Sequence, residues 1–481
     1  VGGFFVKGKD VELEETTKQA LCEQHGCLFH LGAGGLSPKR ESAKGVKVVK
    51  FGGSSVADAI QLEKVKSIVE RDKDRKYVIV SAPGKRFDKD SKITDLLYLC
   101  KTQIDHNIPC EQIFQVICDR FKIMELNLKI TARIEKELAE IKKELVQGLS
   151  ADYIASRGEY LNAVITAAYL GYDFVDTKGL VKFDDKGRFL SEETNRALSE
   201  ELKKHERAVL PGFYGSKPDG SIKTFSRGGS DITGSLVARA VNADVYENWT
   251  DVSGFLMADP RIVPEAQPIK NISYKELREL SYMGASVLHE DAVFPVRKAN
   301  IPINIRNTNK PDDDGTIIVA DYNGREEGQI ITGIAGRKDF TVIAIYKNMM
   351  NSEIGFVKRI LGILENYDVS FEHIPSGIDT VSVVISNKAL EGKLADILED
   401  FEKQLQPDIV DIYEDTALIA TVGHRMTRRQ GVAATLFNAL ADSQINIRMI
   451  DQGSSEMNII VGVENRDFEK AIRAIYDAFM K

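Results

Sequence analysis

Nothing in this chain is suited to a membrane, an oxidising compartment or a nucleic acid. No apolar stretch approaches the roughly 20 residues that a membrane span needs, and the N-terminus lacks the basic segment and apolar core of a secretory signal, so a cytoplasmic protein is expected. Cysteine is scarce: five among 481 residues, an odd number, fits reduced thiols better than a disulfide framework. Four potential zinc ligands, Cys22, His25, Cys27 and His30, do crowd together. A structural zinc site normally takes two ligands from each of two separated knuckles, whereas here one short segment would have to supply all four. The segment therefore reads as surface, and no metal-ligating residue is assigned anywhere in the chain. Basic residues gather around Arg425–Arg429, yet the formal net charge is −8 and no long basic tract carries interleaved aromatics, so a nucleic-acid partner is not expected.

What is present is an ordinary soluble composition, 43% hydrophobic and 28% charged, in a chain too long for one core; two to four domains are expected. Its most informative segment is KVVKFGGSSVAD, Lys47–Asp58. Val46, Val48 and Val49 suit a buried strand, Gly52 and Gly53 let the backbone approach a ligand with no Cβ in the way, and apolar positions from Ile60 to Val69 recur at helical spacing. Strand, glycine turn and helix start make an anion site, in which the helix offers unpaired N–H groups and Lys50 a full charge. The spacing is neither that of a Walker loop nor of GxGxxG. Further along come SRGEYLNA (Ser156–Ala163), GFYG (Gly212–Gly215), FSRGGSDITGS (Phe225–Ser235), NWTDVSGFLMADPR (Asn248–Arg261) and YMGASVLHE (Tyr282–Glu290). Strand-like runs at Lys76–Ala82, Ala208–Gly215 and Ala243–Asp251 alternate with helix-like stretches such as Tyr153–Leu170 and Ser230–Val241. That alternation predicts a mainly parallel sheet covered by helices, with ligands at the carboxyl ends of the strands. Ile130–Leu149, rich in Glu, Lys and Leu, reads as a solvated amphipathic helix.

After a linker near Pro311–Gly328, two similar units follow. FTVIAIYK, a helix over Ile354–Glu365, VSFEHI, TVSVVIS and a helix over Lys388–Lys403 form one. TALIATVG, a helix over Gly431–Ala441, INIRMID, NIIVGVE and a helix over Phe468–Phe479 form the other. This repeat of strand, helix, strand, strand, helix points to a ferredoxin-like module. The first can close with a strand at Asp408–Tyr413, but the second reaches Lys481 with no residues left for its last strand. GQIITGIAG, Gly328–Gly336, is a spare strand before the first unit, and the expectation is that it completes the second, which couples the two rigidly.

Taken in order, KFGGSSV, SRGE, GFYG, SRGGSD, NWTD and the YMGASVLHE segment resemble the aspartate kinases of the amino-acid-kinase family. VGHRMTRRQGVAATLFNAL and INIRMIDQGSSEMNIIVGV are similar to the paired ACT regulatory modules of those enzymes. The resemblance implies an α/β fold: an amino-acid-kinase-type sandwich with a mainly parallel central sheet, followed by two ferredoxin-like (βαββαβ) ACT modules, the first inserted in the second. The expected boundaries are an N-terminal extension of unreadable role at 1–45, a catalytic domain at 46–325, ACT module 1 at 337–414, and ACT module 2 from 328–336 plus 415–481. The implied activity is ATP-dependent phosphorylation of the L-aspartate β-carboxylate to 4-phospho-L-aspartate, which opens the route to lysine, threonine and methionine. With the second module at the end of the sequence, a fused homoserine dehydrogenase is not expected.

The residues fit that chemistry. A carboxylate is already ionised at neutral pH, so it needs no general base as acceptor, and the motifs KFGGSSV, SRGE and SRGGSD contain no histidine. What remains is to align two anions and neutralise the moving phosphoryl, a task for lysine, backbone N–H donors and a divalent metal. Lys50 with Gly52, Gly53 and Ser54 supplies the first two; Mg²⁺ is implied because it binds through phosphate oxygens and waters and leaves little protein signature. Arginine is the side chain best shaped to hold a carboxylate. By resemblance Arg227 grips the α-carboxylate of aspartate, Ser230 assists, Asp231 orients substrate and lysine, and Glu159 pairs with the substrate ammonium. Ser81 and Thr94 match hydroxyl contacts to aspartate, and Phe213 sits in the matching GFYG, where a core aromatic would look the same. Thr250, Asp251, Asp259 and Arg261 match the nucleotide segment. Many relatives carry a lysine where this chain has Ser286; Lys85 or Arg261 replaces its charge, or Lys50 and the metal suffice.

Paired ACT modules imply feedback by an end-product amino acid, lysine first and threonine second. Met349, Asn351, Ser352, Gly355 and Phe356 link strand to helix, where N–H groups suit an amino acid's carboxylate; Glu372 and Asp379 either receive its ammonium group or are merely solvated. Such modules also favour symmetric pairing, so a homodimer or dimer of dimers is expected. Two rivals stand beside this reading: another amino-acid kinase, of the glutamate type, and a non-catalytic amino-acid sensor that kept the fold.

Overall fold

Near-continuous burial makes the β-branched runs strands that are apolar on both faces, as a sheet covered by helices on each side requires. The structure, a computed structural model, describes residues 45–146, 150–226, 228–285, 288, 290–320 and 329–480. The N-terminal Cys and His cluster, Arg227 and Ser286 lie outside them.

The first ten strands are Lys47–Phe51 (β1), Arg75–Val80 (β2), Asp173–Phe174 (β3), Ala208–Pro211 (β4), Tyr214–Ser216 (β5), Ile222–Thr224 (β6), Val245–Thr250 (β7), Asn271–Ser273 (β8), Ile303–Asn307 (β9) and Thr316–Val319 (β10). Eight of them form one sheet in the order β3-β4-β2-β1-β7-β9-β10-β8, parallel except between β9 and β10; β5 and β6 make a separate hairpin. The helices of this half are Ala59–Glu70 (α1), Ile93–Asp105 (α2), Glu111–Asn127 (α3), Ile134–Val146 (α4), Ala151–Leu170 (α5), Ser191–Leu202 (α6), Gly229–Ala240 (α7), Tyr274–Tyr282 (α8) and Glu290–Lys298 (α9). Val48, Ile79, Leu210 and Tyr246 face one layer with Leu236 and Val237 of α7. Val49, Phe51, Val78, Val80 and Trp249 face the other, with Leu62, Leu97, Phe121 and Leu161. Lys50 therefore projects on the α7 side.

Three expectations need adjustment. The run Ala208–Gly215 is two strands, because the chain turns at Gly212 and Phe213, the latter at φ 82°. The stretch assigned to a linker, Pro311–Gly328, contains β10, whose Thr316, Ile317 and Ile318 pair with β9. The solvated helix is shorter than Ile130–Leu149 and starts at Ile134.

The second half contains Gly333–Tyr346 (β11), Thr380–Ser386 (β12), Ile409–Val422 (β13), Met449–Asp451 (β14) and Asn458–Glu464 (β15), in an antiparallel sheet ordered β12-β11-β13-β15-β14. Its helices are Phe356–Asn366 (α10), Asn387–Leu390 (α11), Leu394–Leu405 (α12), Val432–Asp442 (α13) and Phe468–Met480 (α14). Two strands of 14 residues run through both modules. Gly333–Arg337 pairs with Leu418–Val422, and Val342–Tyr346 with Ile409–Tyr413, with register shifts between them where Asp339 takes φ 68°. The segment read as a spare strand is thus the first third of one continuous strand that begins at Gly333. Other local readings change: the single helix over Lys388–Lys403 breaks where Gly392 adopts φ 72°. VSFEHI gives only an isolated bridge between His373 and Val384, and INIRMID only its last three residues as strand. The module around α10 and α12 has its own core, whereas that of α13 and α14 is continuous with the catalytic half. Among the described residues no helix is long and apolar enough to cross a membrane.

Candidate active site

Register brings four strand ends together. Phe51 lies opposite Val80 and Trp249, and Val80 opposite Pro211, so parallel β1, β2, β4 and β7 finish flush. Gly52–Gly53, Ser81, Gly212–Phe213 and Thr250–Asp251 follow directly, at the edge where a parallel sheet collects ligands.

Lys50, 7% exposed, is opposite Asn248 in the β1–β7 register. Its Nζ lies 2.5 Å from Asp231 Oδ1 and 3.4 Å from Asn248 Oδ1, while Asn248 Nδ2 donates to Asp231 Oδ1 at 2.8 Å. Asp231 arrives from the first turn of α7, which is seated by the Tyr246 hydroxyl donating to the Asp231 carbonyl at 3.1 Å. A Cβ on Gly234 would lie 2.5 Å from that hydroxyl, so the helix can approach only with glycine there. An ammonium has three donors, and the described residues engage two of them.

The glycine turn differs from the simple strand-to-helix anion site. Gly53–Val56 form a 3₁₀ turn, and α1 starts beyond it with Asp58 as its cap, accepting from Gln61 N–H at 2.9 Å. The N–H groups nearest a ligand thus belong to the 3₁₀ turn, not to α1. The Gly52 N–H is already spent on the Trp249 carbonyl at 3.0 Å. Gly53 packs against Gly84, whose N–H donates to the Gly53 carbonyl at 2.8 Å and whose added Cβ would meet the Gly53 carbonyl carbon at 2.7 Å. Ser54 is exposed, while Ser55 is buried against Thr308, hydroxyl to hydroxyl at 2.7 Å.

On the other face of the sheet α5 brings Glu159 to the segment after β2. A Cβ on Gly158 would sit 2.8 Å from Ala82 Cβ and 3.2 Å from Ile93 Cγ2, so α5 lies tight against the segment that runs from Ser81 to Thr94, and Glu159 accepts from the Ala82 N–H there. Asn162 Nδ2 donates to the Ser81 carbonyl at 2.7 Å. Burial pushes the Glu159 carboxyl up to about 8, opposed by the Ala82 N–H that it accepts from and more weakly by Arg157. Glu159 Oε2 and Asn162 Oδ1 are both buried without a partner among the described residues. Two orphaned acceptors one helical turn apart fit a ligand cation with several N–H donors.

Phe213 and Ser230 close the third side. Phe213 N–H donates to Thr233 Oγ1 at 3.1 Å, and an added Cβ on Gly229 would meet its ring at 2.5 Å. A Cβ on Gly212 would lie 2.6 Å from the Ser230 hydroxyl. GFYG and SRGGSD are thus one packed unit. Phe213 is not a fully buried core aromatic; its left-handed backbone makes it part of the turn.

The nucleotide segment is looser. Thr250 Oγ1 donates to Asp251 Oδ1 at 3.2 Å at the end of β7. Arg261, 88% exposed, is engaged by Asp259 at 2.6 Å, which holds that carboxyl below the usual range. Lys85 is exposed and donates to the Asp88 carbonyl at 3.4 Å, which leaves it free to turn toward a ligand.

The seven effector residues are only partly assembled. The N–H groups of Asn351, Ser352 and Phe356 are spent on the carbonyls of Ile378, Met349 and Glu353, and Phe356 buries its ring in the module core. Asp379 Oδ1 accepts from Met349 N–H at 2.8 Å, which ties it to the segment as a turn brace. Gly355 stands at φ 82° immediately before α10. Glu372 departs from the group: it lies 3.7 Å from Arg337 and bonds Tyr282, whose phenol burial and Glu372 together push up to about 12.

Asn248, Asn162 and Gly84 carry contacts that the sequence reading did not assign, although NWTD, SRGEYLN and APGK contain them. Their common signal was position inside a motif at a strand end.

An amino acid kinase family model matches residues 45–307, and an ACT domain model residues 419–479. Aspartokinase 3 of Bacillus subtilis is 37% identical over 450 residues, covering 90% of this chain and 98% of that protein. The crystal structure of Clostridium acetobutylicum aspartate kinase is 54% identical with a TM-score of 0.85, covering 90% of this chain and 99% of that one. Escherichia coli aspartokinase III in complex with aspartate and ADP shares the fold at 24% identity, with a TM-score of 0.68 and coverage of 91% and 100%.

Proposed function

The chain belongs to the aspartokinases, within the amino acid kinase family, and from that premise we propose that the cleft between Lys50 and Glu159 is where it transfers the γ-phosphoryl of ATP to the β-carboxylate of L-aspartate. The enzyme is an aspartate kinase, and neither a glutamate-type kinase nor a silent sensor is favoured. The observation that carries the site assignment is the pairing of a buried, oriented ammonium at Lys50 with two unpartnered buried acceptors at Glu159 and Asn162.

In this reading the substrate ammonium binds Glu159 Oε2 and Asn162 Oδ1, Ser81 and Thr94 lie beside it, and Phe213 and Ser230 shape the pocket wall. Arg227, from the segment that joins Phe225 to α7, holds the α-carboxylate. The β-carboxylate, already ionised, attacks without a base. The Lys50 ammonium, held by Asp231 and Asn248, neutralises the phosphoryl group as it moves, and N–H groups of Gly53 and Ser54 receive the nucleotide's phosphates. Asp231 keeps the Lys50 ammonium aimed. Thr250, Asp251, Asp259 and Arg261 hold the nucleotide, Arg261 by exchanging Asp259 for phosphate.

Mg²⁺ suits this residue set. Among the described residues no three His, Cys, Asp or Glu side chains converge as a cage, which fits a cation borne on phosphate oxygens, with the exposed Asp251 to hold its waters. When bound it would supply charge neutralisation between the phosphates. Ser286 stands where many relatives carry a lysine, and the exposed Lys85, or Arg261, is proposed to supply that charge. We further propose a cytoplasmic homodimer or dimer of dimers assembled through the ACT modules. Lysine, with threonine second, is proposed to bind at Met349–Phe356 beside Asp379; Glu372 is no longer part of that proposal.

The test is a steady-state assay of ADP release with MgATP and a panel of aspartate, glutamate and acetylglutamate, repeated with lysine and threonine separately and together. Aspartate alone supports turnover, and Lys50→Ala lowers kcat by about 10²–10³, the usual cost of removing one transition-state donor. Turnover within tenfold of the parent in a folded Lys50→Ala protein would remove Lys50 from the mechanism.

A further inference from the structure

One buried cation near this site has no role in the reaction as described. Arg120, on α3, is 4% exposed and belongs to none of the motifs. Its NH1 donates to the Ser91 carbonyl at 2.7 Å, and its NH2 donates to the Gly84 carbonyl at 2.8 Å and the Ala57 carbonyl at 3.2 Å. Its carboxylate neighbour, Asp90, is 3.6 Å away and already taken by Arg86, through Nε at 2.8 Å and NH2 at 3.0 Å. A guanidinium buried for ion pairing would claim that carboxylate first; this one spends its donors on three backbone carbonyls from two loops.

Those loops are the two halves of the site. Ala57 ends the turn that starts at Gly52 and Gly53, on the phosphate side. Gly84 and Ser91 both lie within the segment between Ser81 and Thr94, on the aspartate side. They touch directly through Gly53 and Gly84, the latter being too close for any Cβ, so a small shift of one loop displaces the other. We infer that Arg120 is a positioning residue for phosphoryl transfer, a clamp that fixes the phosphate turn against the aspartate loop and so sets the distance between the two reacting anions. This rests on the functional reading above. A lysine at 120 keeps the charge but cannot fork across carbonyls on two loops, and a methionine keeps only the packing.

The experiment compares Arg120→Lys and Arg120→Met with the parent. Dissociation constants for aspartate alone and for MgATP alone are expected to stay within threefold, because each loop still makes its own ligand contacts. Misalignment then falls on kcat, expected to drop at least 30-fold in Arg120→Met and less in Arg120→Lys. Amide hydrogen exchange is expected to quicken tenfold or more in 52–57 and 82–91 alone. A folded Arg120→Met protein with kcat within threefold of the parent overturns the inference. So does a loss that appears only as weaker MgATP or aspartate binding. Failure of both variants to fold also overturns it, since Arg120 would then serve the fold as a whole. If the parent shows no aspartate-dependent turnover, the functional reading has failed, and exchange in the two segments still decides whether Arg120 clamps them.

Discussion

Glu159 is the residue where burial and function pull hardest against each other. With its carboxyl raised from 4.5 to about 8, the ligand-free protein holds a proton there at neutral pH. The sign follows from linkage: a group whose folded value exceeds its unfolded one stabilises the fold fully below the unfolded value and loses that contribution as pH rises through about 8. Aspartate brings an ammonium group that needs the ionised form, so binding must expel the proton. Titration calorimetry in buffers of different ionisation enthalpy should find about one proton released per aspartate at pH near 6.5, fading above about 8, with affinity for aspartate rising over the same range. Glu159→Gln should abolish the release and weaken binding. Pure pH independence of aspartate binding in the parent protein would mean that Glu159 does not meet the ammonium. Lys50 and Glu159 could be singled out from sequence because motif and charge coincide. Asn162 could not, since what marks it is an oxygen left without a partner, and that exists only once α5 has been laid against β2.

At the scale of elements, close approach of backbones decides where glycine is required. Gly84→Ala would drive a methyl to 2.7 Å from the Gly53 carbonyl carbon, and neither can swing aside, since one is main chain and the other is fixed directly to it. Turnover should fall at least tenfold with a modest loss of stability. Gly362 is the opposite case: it lies inside α10 with nothing within 4 Å of an added Cβ, so Gly362→Ala should raise stability by about 0.5–1 kcal/mol and leave catalysis alone. Thermal melts and kcat on the two variants check both signs, and equal behaviour would show that the packing at Gly53 and Gly84 is not tight. The regular elements were legible where burial and period agree, as in β1, β2, α5 and α7. They were misread where one glycine or one positive φ intervenes: Gly392 splits a helix, and Phe213 ends a strand early. Asp339 marks where two apparent strands are one. The joining of Lys50, Asp231 and Asn248 across up to 198 residues follows from strand order, which no local pattern carries.

Across the whole molecule, α8 is where both regulatory modules grip the catalytic half. Glu276 of α8 is fully buried; its Oε2 accepts from Ser273 N–H at 2.9 Å and Ser273 Oγ at 2.6 Å, and its Oε1 accepts from Thr332 Oγ1 at 2.6 Å and His424 N–H at 2.7 Å. Asn458 of the same module donates to Glu279 at 2.6 Å, and the other module reaches the end of α8 through Glu372 and Tyr282. Glu276→Gln tests whether the grip transmits regulation. The carboxylate accepts on both oxygens from donors only, so an amide NH₂ must face one of those donors, at a cost of about 1.5–3 kcal/mol for each charged hydrogen bond lost. The loss falls on the joint and not on Lys50 or Glu159. Turnover without effector should therefore stay within threefold, while the lysine or threonine concentration that halves activity should rise at least tenfold. An inhibition curve that does not move, in a Glu276→Gln protein that melts several degrees lower, would show the joint weakened and the signal intact, and coupling would then have to run through other contacts between the halves, such as Glu372 with Tyr282 or Tyr476 with Gln267.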